Sequence, residues 1–356
     1  MGTKSVPAGP IKTAIVGLGR AGWSIHASAL KNRPNFQVVA AIDAQPERRQ
    51  QAEQTFAGCR SYAEWKGFLK DTNGAELVIV ATQSHMHGPM ALDAFKAGLH
   101  VLVEKPMALN LREADKMIAA AKKAKRVLTV NQNYRCDAQF PNLNQIINSG
   151  LLGKVFYIKF TSSMFQRRND WQTLRKNGGG TLNNTSVHYI DICLYLLGAP
   201  VVSVWGDLQA VITAGNAEDH VKVLMRGKNG RVVDLEVSCA YAFEQPRWQV
   251  FGTLGSLQQQ DQEFAIKYLD PATLPELKVI DTIAVPNRSY GVIGGETLQW
   301  LEKRVPCSPP ELKVDFYAKL YDTLRNKAKL FVTAESVREQ IRVIELARKG
   351  TKFPSK

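Results

Sequence analysis

Cysteine is scarce and scattered. The five residues, Cys59, Cys136, Cys193, Cys239 and Cys307, are odd in number and form no C-x-x-C pair. That excludes a disulfide-held scaffold and gives no zinc-ligand spacing, so a reducing cytoplasm is the expected compartment and no metal is expected. Long apolar runs are missing too. Charges or glycines interrupt every stretch before it reaches the roughly 18 residues of a membrane span, so the chain reads as soluble, with no membrane partner. The opening Met1–Pro10 is polar, without the apolar core of a signal peptide or an Arg pair, and reads as a disordered leader over residues 1–10.

What remains is ordinary globular usage: 356 residues, 45% apolar and 22% charged. At roughly 100–200 residues per domain the length favours two cores. The formal charge is +14, which makes an anionic partner a question to settle.

From Ile11 to Asn131 short β-branched runs alternate with longer helical patterns. The predicted strands are Thr13–Val16, Gln37–Ile42, Leu77–Ala81, His100–Val103 and Val127–Val130, continuous apolar runs of the kind buried on both faces of a parallel sheet. Helical spacing predicts Ala21–Lys31, Pro46–Phe56, Tyr62–Leu69, Met90–Ala97 and Arg112–Lys125 between them. This is α/β, a doubly wound sheet with right-handed crossovers, over residues 11–131. The rhythm then changes. After helix Asp137–Ser149 and strand Val155–Ser162 come an insertion rich in Arg, Asn and Gly and a helix over Thr185–Leu197. Val201–Ala210, His220–Arg226, Val232–Ala240, Trp248–Phe251 and Phe264–Tyr268 follow as strands, with Asn229-Gly230 as a hairpin turn. Residues 132–356 therefore read as an α+β domain on an open, mixed, largely antiparallel sheet, ending in helices near Val314–Lys327 and Ala334–Arg348.

Gly17-Leu18-Gly19-Arg20-Ala21-Gly22 stands where the first strand meets the first helix. Gly17 permits the tight turn, Gly19 lets backbone approach a pyrophosphate, and Gly22 allows close helix–sheet packing. The helix start, at Arg20 and Ala21, supplies N–H donors and positive dipole. Asp43 ends the second strand, 21 residues past Gly22, where a carboxylate takes both ribose hydroxyls and repels a 2′-phosphate. NAD is therefore expected over NADP, with Arg48 and Arg49 near enough to soften the preference. The basic excess is spread over both halves with no recognition-helix, zinc-finger or RNP pattern. It is read as solubility plus attraction for an anionic dinucleotide, and no nucleic-acid partner is expected.

Further motifs extend this reading. They are Thr82-Gln83-Ser84-His85-Met86-His87, Val103-Glu104-Lys105-Pro106, Asn131-Gln132-Asn133-Tyr134-Arg135, the run from Gly178 through Asn184 and His188 to Asp191, and Phe251-Gly252-Thr253-Leu254-Gly255-Ser256. In this order and spacing they resemble the glucose-fructose oxidoreductase, inositol dehydrogenase and rhizopine-catabolism (Gfo/Idh/MocA) family across most of the chain. The resemblance implies substrate bound between a Rossmann domain and an open-sheet domain. It also implies chemistry at a carbinol of a sugar, sugar derivative or cyclitol, and assembly as a homodimer or homotetramer.

Removing a hydride from a carbinol needs a base and a donor to steady the alkoxide. His188 is the expected base, with an amide or carboxylate to hold its tautomer, and Lys105 the expected cation. Many relatives have Asp four residues before this His; here Asn184 can hydrogen-bond substrate but cannot take a proton. Asp191 is expected to stabilise the helix or the domain contact. Glu104 is expected to contact cofactor or anchor its loop, and Thr82, His85 and His87 to line the cofactor edge. Arg135, Arg168, Trp171 and Arg175 are expected to wall the substrate cleft, Trp171 by stacking on a pyranose and the arginines by clamping polar groups. Two alternatives stay open: tightly bound NAD driving glycoside cleavage or isomerisation through transient oxidation, and a catalytically inactive NAD-binding sensor or scaffold.

Overall fold

The computed structural model describes residues 9–279 and 297–354, so the first eight residues of the expected leader lie outside the described residues. The first sheet is parallel, in the order β3-β2-β1-β4-β5-β6. Its strands are β1 (Ile11–Val16), β2 (Phe36–Ile42), β3 (Arg60–Tyr62), β4 (Leu77–Val80), β5 (His100–Val103) and β6 (Leu128–Val130). All four residues of β4 are buried, as the unbroken Leu-Val-Ile-Val run requires of a strand covered on both faces. The helices between them are α1, with π-type turns over Arg20–Ala27 continuing as Ser28–Lys31, then α2 (Pro46–Thr55), α3 (Trp65–Lys70), α4 (His87–Lys96) and α5 (Leu111–Ala124). Two crossed bonds start α5: Asn110 Oδ1 accepts from Glu113 N at 2.9 Å while the Glu113 carboxylate accepts from Leu109 N at 2.9 Å. Strand order reverses between β1 and β4, and the crevice at their carboxyl ends is where such sheets bind ligands.

The second sheet has eight strands in the order β14-β13-β12-β11-β7-β10-β9-β8. They are β7 (Val155–Ser163), β8 (Val201–Gln209), β9 (His220–Gly227), β10 (Val232–Ser238), β11 (Trp248–Gly252), β12 (Gly255–Gln260), β13 (Glu263–Tyr268) and β14 (Leu301–Pro306). Among the described residues only β7 and β10 pair in parallel; the other pairs are antiparallel. The predicted hairpin joins β9 to β10, with Gly230 at φ +83°. Helices α6 (Gln139–Asn148) and α7, with π-type turns over Leu182–Ser186 continuing as Val187–Leu197, lie on one face. Their buried Leu143, Ile147, Ile190 and Leu197 pack on Ile158, Phe160 and Trp248.

The C-terminal helices α8 (Phe316–Asn326) and α9 (Ala334–Arg348) depart from the expected division. Tyr317 and Leu320 complete one core of the first sheet, and Val332, Val337 and Ile341 complete the other. Farther along α9, Val343, Ile344 and Ala347 belong to the core of the second. The tail therefore clamps both halves, because the amphipathic stripe of α9 is long enough to face each in turn. Buried Gln340 marks the crossover: its amide donates to Val187 O and accepts from Gln132 at 2.9 Å.

Candidate active site

A cleft of about 820 Å3 opens at the β1/β4 crevice, lined by Gly17, Gly19, Arg20, Ala21, Asp43, Thr82, Lys105 and, from the other half, Arg168, Trp171 and Asn184. The glycine loop fits a dinucleotide for steric reasons visible in the structure. Gly17 lies at φ +85°, and a Cβ there would meet Ala81 O at 2.6 Å; a Cβ on Gly22 would stand 1.7 Å from Gly17 O. At Gly19 the nearest atom to such a Cβ is 3.9 Å away, so that backbone is open to the cleft. No side chain caps the first turn of α1, leaving its N–H groups for an anion. Asp43 accepts from Leu18 N at 2.7 Å and Gln45 N at 2.9 Å, and Arg48 lies 3.4 Å from its Oδ2. Arg49 instead donates to the carbonyls of Asp43 and Ala44.

Lys105 follows β5 at the carboxyl edge of the sheet. Its Nζ donates to Asn184 O at 2.9 Å, spanning the cleft between the two halves, and the Lys105–Pro106 peptide is cis. Burial pushes its ammonium below the ordinary lysine range; Glu104 opposes this, while Arg20 and Arg168 add to it. Glu104 itself is buried and fully engaged, with His26 Nε2 at 3.0 Å and Asn131 Nδ2 at 2.7 Å on one oxygen and Lys105 N at 3.1 Å on the other. Burial alone would raise its pKa, but the His26 and Asn131 bonds and the Lys105 charge outweigh it and hold the carboxyl at about 2. Glu104 thus anchors the Lys105 loop.

His188 lies within electrostatic reach of Lys105 but lines neither this cleft nor the chamber beside it. Its ring stacks on Tyr134, centroids 4.3 Å apart, and its Nδ1 is buried with no hydrogen-bond partner among the described residues. Burial, and secondarily the Lys105 charge, push it down to about 3. The expected orienting partner is absent. Asn184 turns its amide to Gln172 O at 3.3 Å and offers Lys105 only its carbonyl.

Several other expected site residues stand elsewhere. Arg135 is held by Asp191 at 2.5–2.6 Å and by Ser336 at 2.9 Å, so its guanidinium ties α7 to α9 and does not face the cleft. Arg175 lies over the Phe353 ring and donates to Pro354 O at 3.1 Å; it is bound to the C-terminal tail. His85 is exposed on the turn before α4 and lines no part of the cleft. His87 is buried behind it, with Pro106 O at 2.8 Å and Thr82 O at 3.1 Å, and clamps the Thr82 loop to the Lys105 loop. Two residues escaped sequence reasoning, His26 and Tyr317. The first carried a weak signal, a histidine on the inward face of α1; the second reaches it from 291 positions away.

A doubly wound parallel sheet with a glycine loop at its switch point, facing an open mixed sheet across a lysine-lined cleft, defines a nicotinamide-dependent oxidoreductase architecture. Comparison with known proteins narrows the class. Residues 11–132 match the oxidoreductase family with NAD-binding Rossmann fold, and residues 140–258 match the GFO/IDH/MocA C-terminal domain. The chain is 28% identical over 355 residues to the uncharacterized oxidoreductase YdgJ of Escherichia coli (strain K12), covering 96% of each chain. It is 29% identical over 254 residues to the myo-inositol 2-dehydrogenase of Thermotoga maritima, covering 69% of this chain and 74% of that one. Among solved structures, an NAD-binding protein from Listeria innocua shares the fold with a TM-score of 0.79, at 24% identity over 96% of this chain and 95% of that one. The chain belongs to the Gfo/Idh/MocA oxidoreductase family. No described helix is long and apolar enough to cross a membrane.

Proposed function

We propose that the protein is an NAD-dependent dehydrogenase acting on a carbinol of a sugar, sugar derivative or cyclitol, with Lys105 at the reacting oxygen. The observation that carries this is the Lys105 ammonium, buried at the carboxyl edge of the nucleotide-binding sheet and bonded across the cleft to Asn184 O. The inositol dehydrogenase among its relatives supports the substrate class. NAD, held over the glycine loop with Asp43 at the adenosine ribose, supplies the hydride acceptor when bound. Substrate hydroxyl replaces Asn184 O as the partner of Nζ. Because the lysine pKa is lowered, its amine form takes the hydroxyl proton as the carbon gives up hydride, and the ammonium so formed stays beside the new carbonyl oxygen.

His188 is less suited to the proton transfer than the sequence suggests, since a ring pushed to about 3 binds a proton weakly. It stacks on Tyr134 within electrostatic reach of Lys105 and, uncharged there, adds no second positive charge behind the ammonium. The 46% exposure of Trp171 on the cleft wall supports a stacking role for it against a sugar ring.

The test follows NADH absorbance with purified protein over inositols, hexoses, uronates and glycosides, with NAD and NADP in parallel. NAD reduction by a carbinol substrate, lost in Lys105→Ala, is the expected result. Turnover with NAD retained and no net NADH would instead mark transient oxidation, and NAD binding without turnover of any substrate an inactive sensor. Exposed Phe156, Trp205 and Phe251 on the uncovered side of the second sheet support pairing of copies there, a state that light scattering reads directly.

A further inference from the structure

Beside the cleft, and opening off Lys105, lies a second chamber of about 510 Å3 in which every described lining residue is polar or charged. Its charges are unbalanced: among the described residues, Arg20, Lys105, Arg167 and Arg168 face it against a single carboxylate, Asp170. That carboxylate is committed, 2.7 Å from Arg168 Nη2 and capping the turn at Trp171–Thr173 through Gln172 N at 2.9 Å. Arg20, at the start of α1, stands where the dinucleotide pyrophosphate belongs. Arg167 and the remaining edge of the Arg168 fork are then left without an anion.

Such a chamber is poorly matched to a neutral polyol. Hydroxyl groups need acceptors as well as donors, and the only ionised acceptor here is already paired. Like charges crowded around one cavity also repel, as the downward push of Arg20 and Arg168 on Lys105 registers. Asn184, uncharged where an acid would repel an anion, removes the other obstacle. We propose that the substrate carries an anionic group, a carboxylate or a phosphate, received by Arg168 and Arg167 in this chamber while its carbinol meets Lys105. This rests on the dehydrogenase reading and narrows its substrate class to acidic sugars or cyclitols. Arg168 is the specific reader: Asp170 and Gln172 both hold one of its nitrogens and so fix the plane of the guanidinium.

Calorimetric titration of the NAD-saturated protein with D-glucuronate, D-galacturonate and D-glucose 6-phosphate, against D-glucose and D-galactose, tests it. At least one anionic sugar is expected to bind about tenfold or more tightly than its neutral counterpart, the advantage shrinking at high salt. The uronate and phosphate arms tell the two anions apart. Arg168→Gln should remove that advantage while changing NAD affinity less than about threefold, and Arg167→Gln on the exposed lip serves if the first variant folds poorly. Equal binding of neutral and anionic sugars, no binding of any of the three anions, or a parallel loss of NAD affinity in Arg168→Gln would overturn the proposal. Efficient oxidation of neutral sugars alone would sink it and leave the dehydrogenase reading standing. Failure to bind NAD at all would defeat both.

Discussion

His26 Nε2 lies 3.0 Å from Glu104 Oε1, and the opposite ring nitrogen lies 2.6 Å from the Tyr317 hydroxyl. All three side chains are buried, and one arrangement that satisfies them has Tyr317 donating to Nδ1 and Nε2–H donating to the carboxylate. One relay thereby joins α1, the loop after β5 and α8, and it ends on the residue before Lys105.

The relay gives stability a defined pH dependence. Glu104 is held at about 2 against an ordinary 4.5, so its contribution is complete above pH 4.5 and is lost as pH falls toward 2. That depression corresponds to about 3 kcal/mol at neutral pH. Thermal melts of wild type and Glu104→Gln should differ by a gap that is widest near neutrality and closes through the acid range. A gap independent of pH would show that the carboxylate charge is not what the relay stabilises.

Activity should carry a different signature. Lys105 sits below its ordinary range and must lose its proton to act as base, so kcat/KM should rise with pH through a limb below the roughly 10.4 of a free lysine. His188, near 3, contributes no limb between pH 5 and 8. Lys105→Ala should lose roughly 10²–10⁴-fold in rate, and Lys105→Arg should not rescue it because guanidinium stays protonated. His188→Ala should lower kcat and leave the limb in place. Disappearance of the limb in His188→Ala would return the proton to the histidine.

Arg135 tests where the substrate wall ends. Its partner Asp191 is 2% exposed at the side chain, so Arg135→Ala strands a buried carboxylate, at a cost of about 3 kcal/mol, a several-degree fall in Tm. Substrate KM should not change in the folded variant. A large KM increase at unchanged Tm would put the guanidinium back in the cleft.

Local patterns carried the fold well. A four-residue, β-branched apolar run such as Leu77–Val80 is too short for a helix and reads as a strand buried on both faces, and Asn229-Gly230 favours a hairpin. Strands β3 and β14 were not legible. Arg60–Tyr62 is three residues long, and Leu301–Pro306 is largely exposed, so neither shows the burial that creates a pattern. Gly17, Asp43 and Lys105 fall at one crevice, as expected of residues whose neighbours a motif fixes. Arg135 and Arg175 were misplaced because a charged residue in a loop announces its charge but not its partner; Asp191 and the tail near Pro354 are supplied by tertiary contact. Tyr317 was out of reach for the same reason.

We propose that cofactor choice turns on Asp43 and Arg48. The carboxylate has two tasks, accepting from Leu18 N and Gln45 N to shape the loop and presenting negative charge where a 2′-phosphate would sit. Asp43→Asn preserves an acceptor for the first task and abolishes the second. Arg48, 3.4 Å away and no longer neutralised, then becomes a phosphate partner. Relative affinity for NADPH over NADH should rise about tenfold or more, roughly 1.4 kcal/mol, and adding Arg48→Ala should reverse most of it. Fluorescence titration with the two reduced nucleotides measures this without any substrate. If Asp43→Asn weakens both nucleotides equally, the loop-shaping bonds dominate and the charge does not select the cofactor.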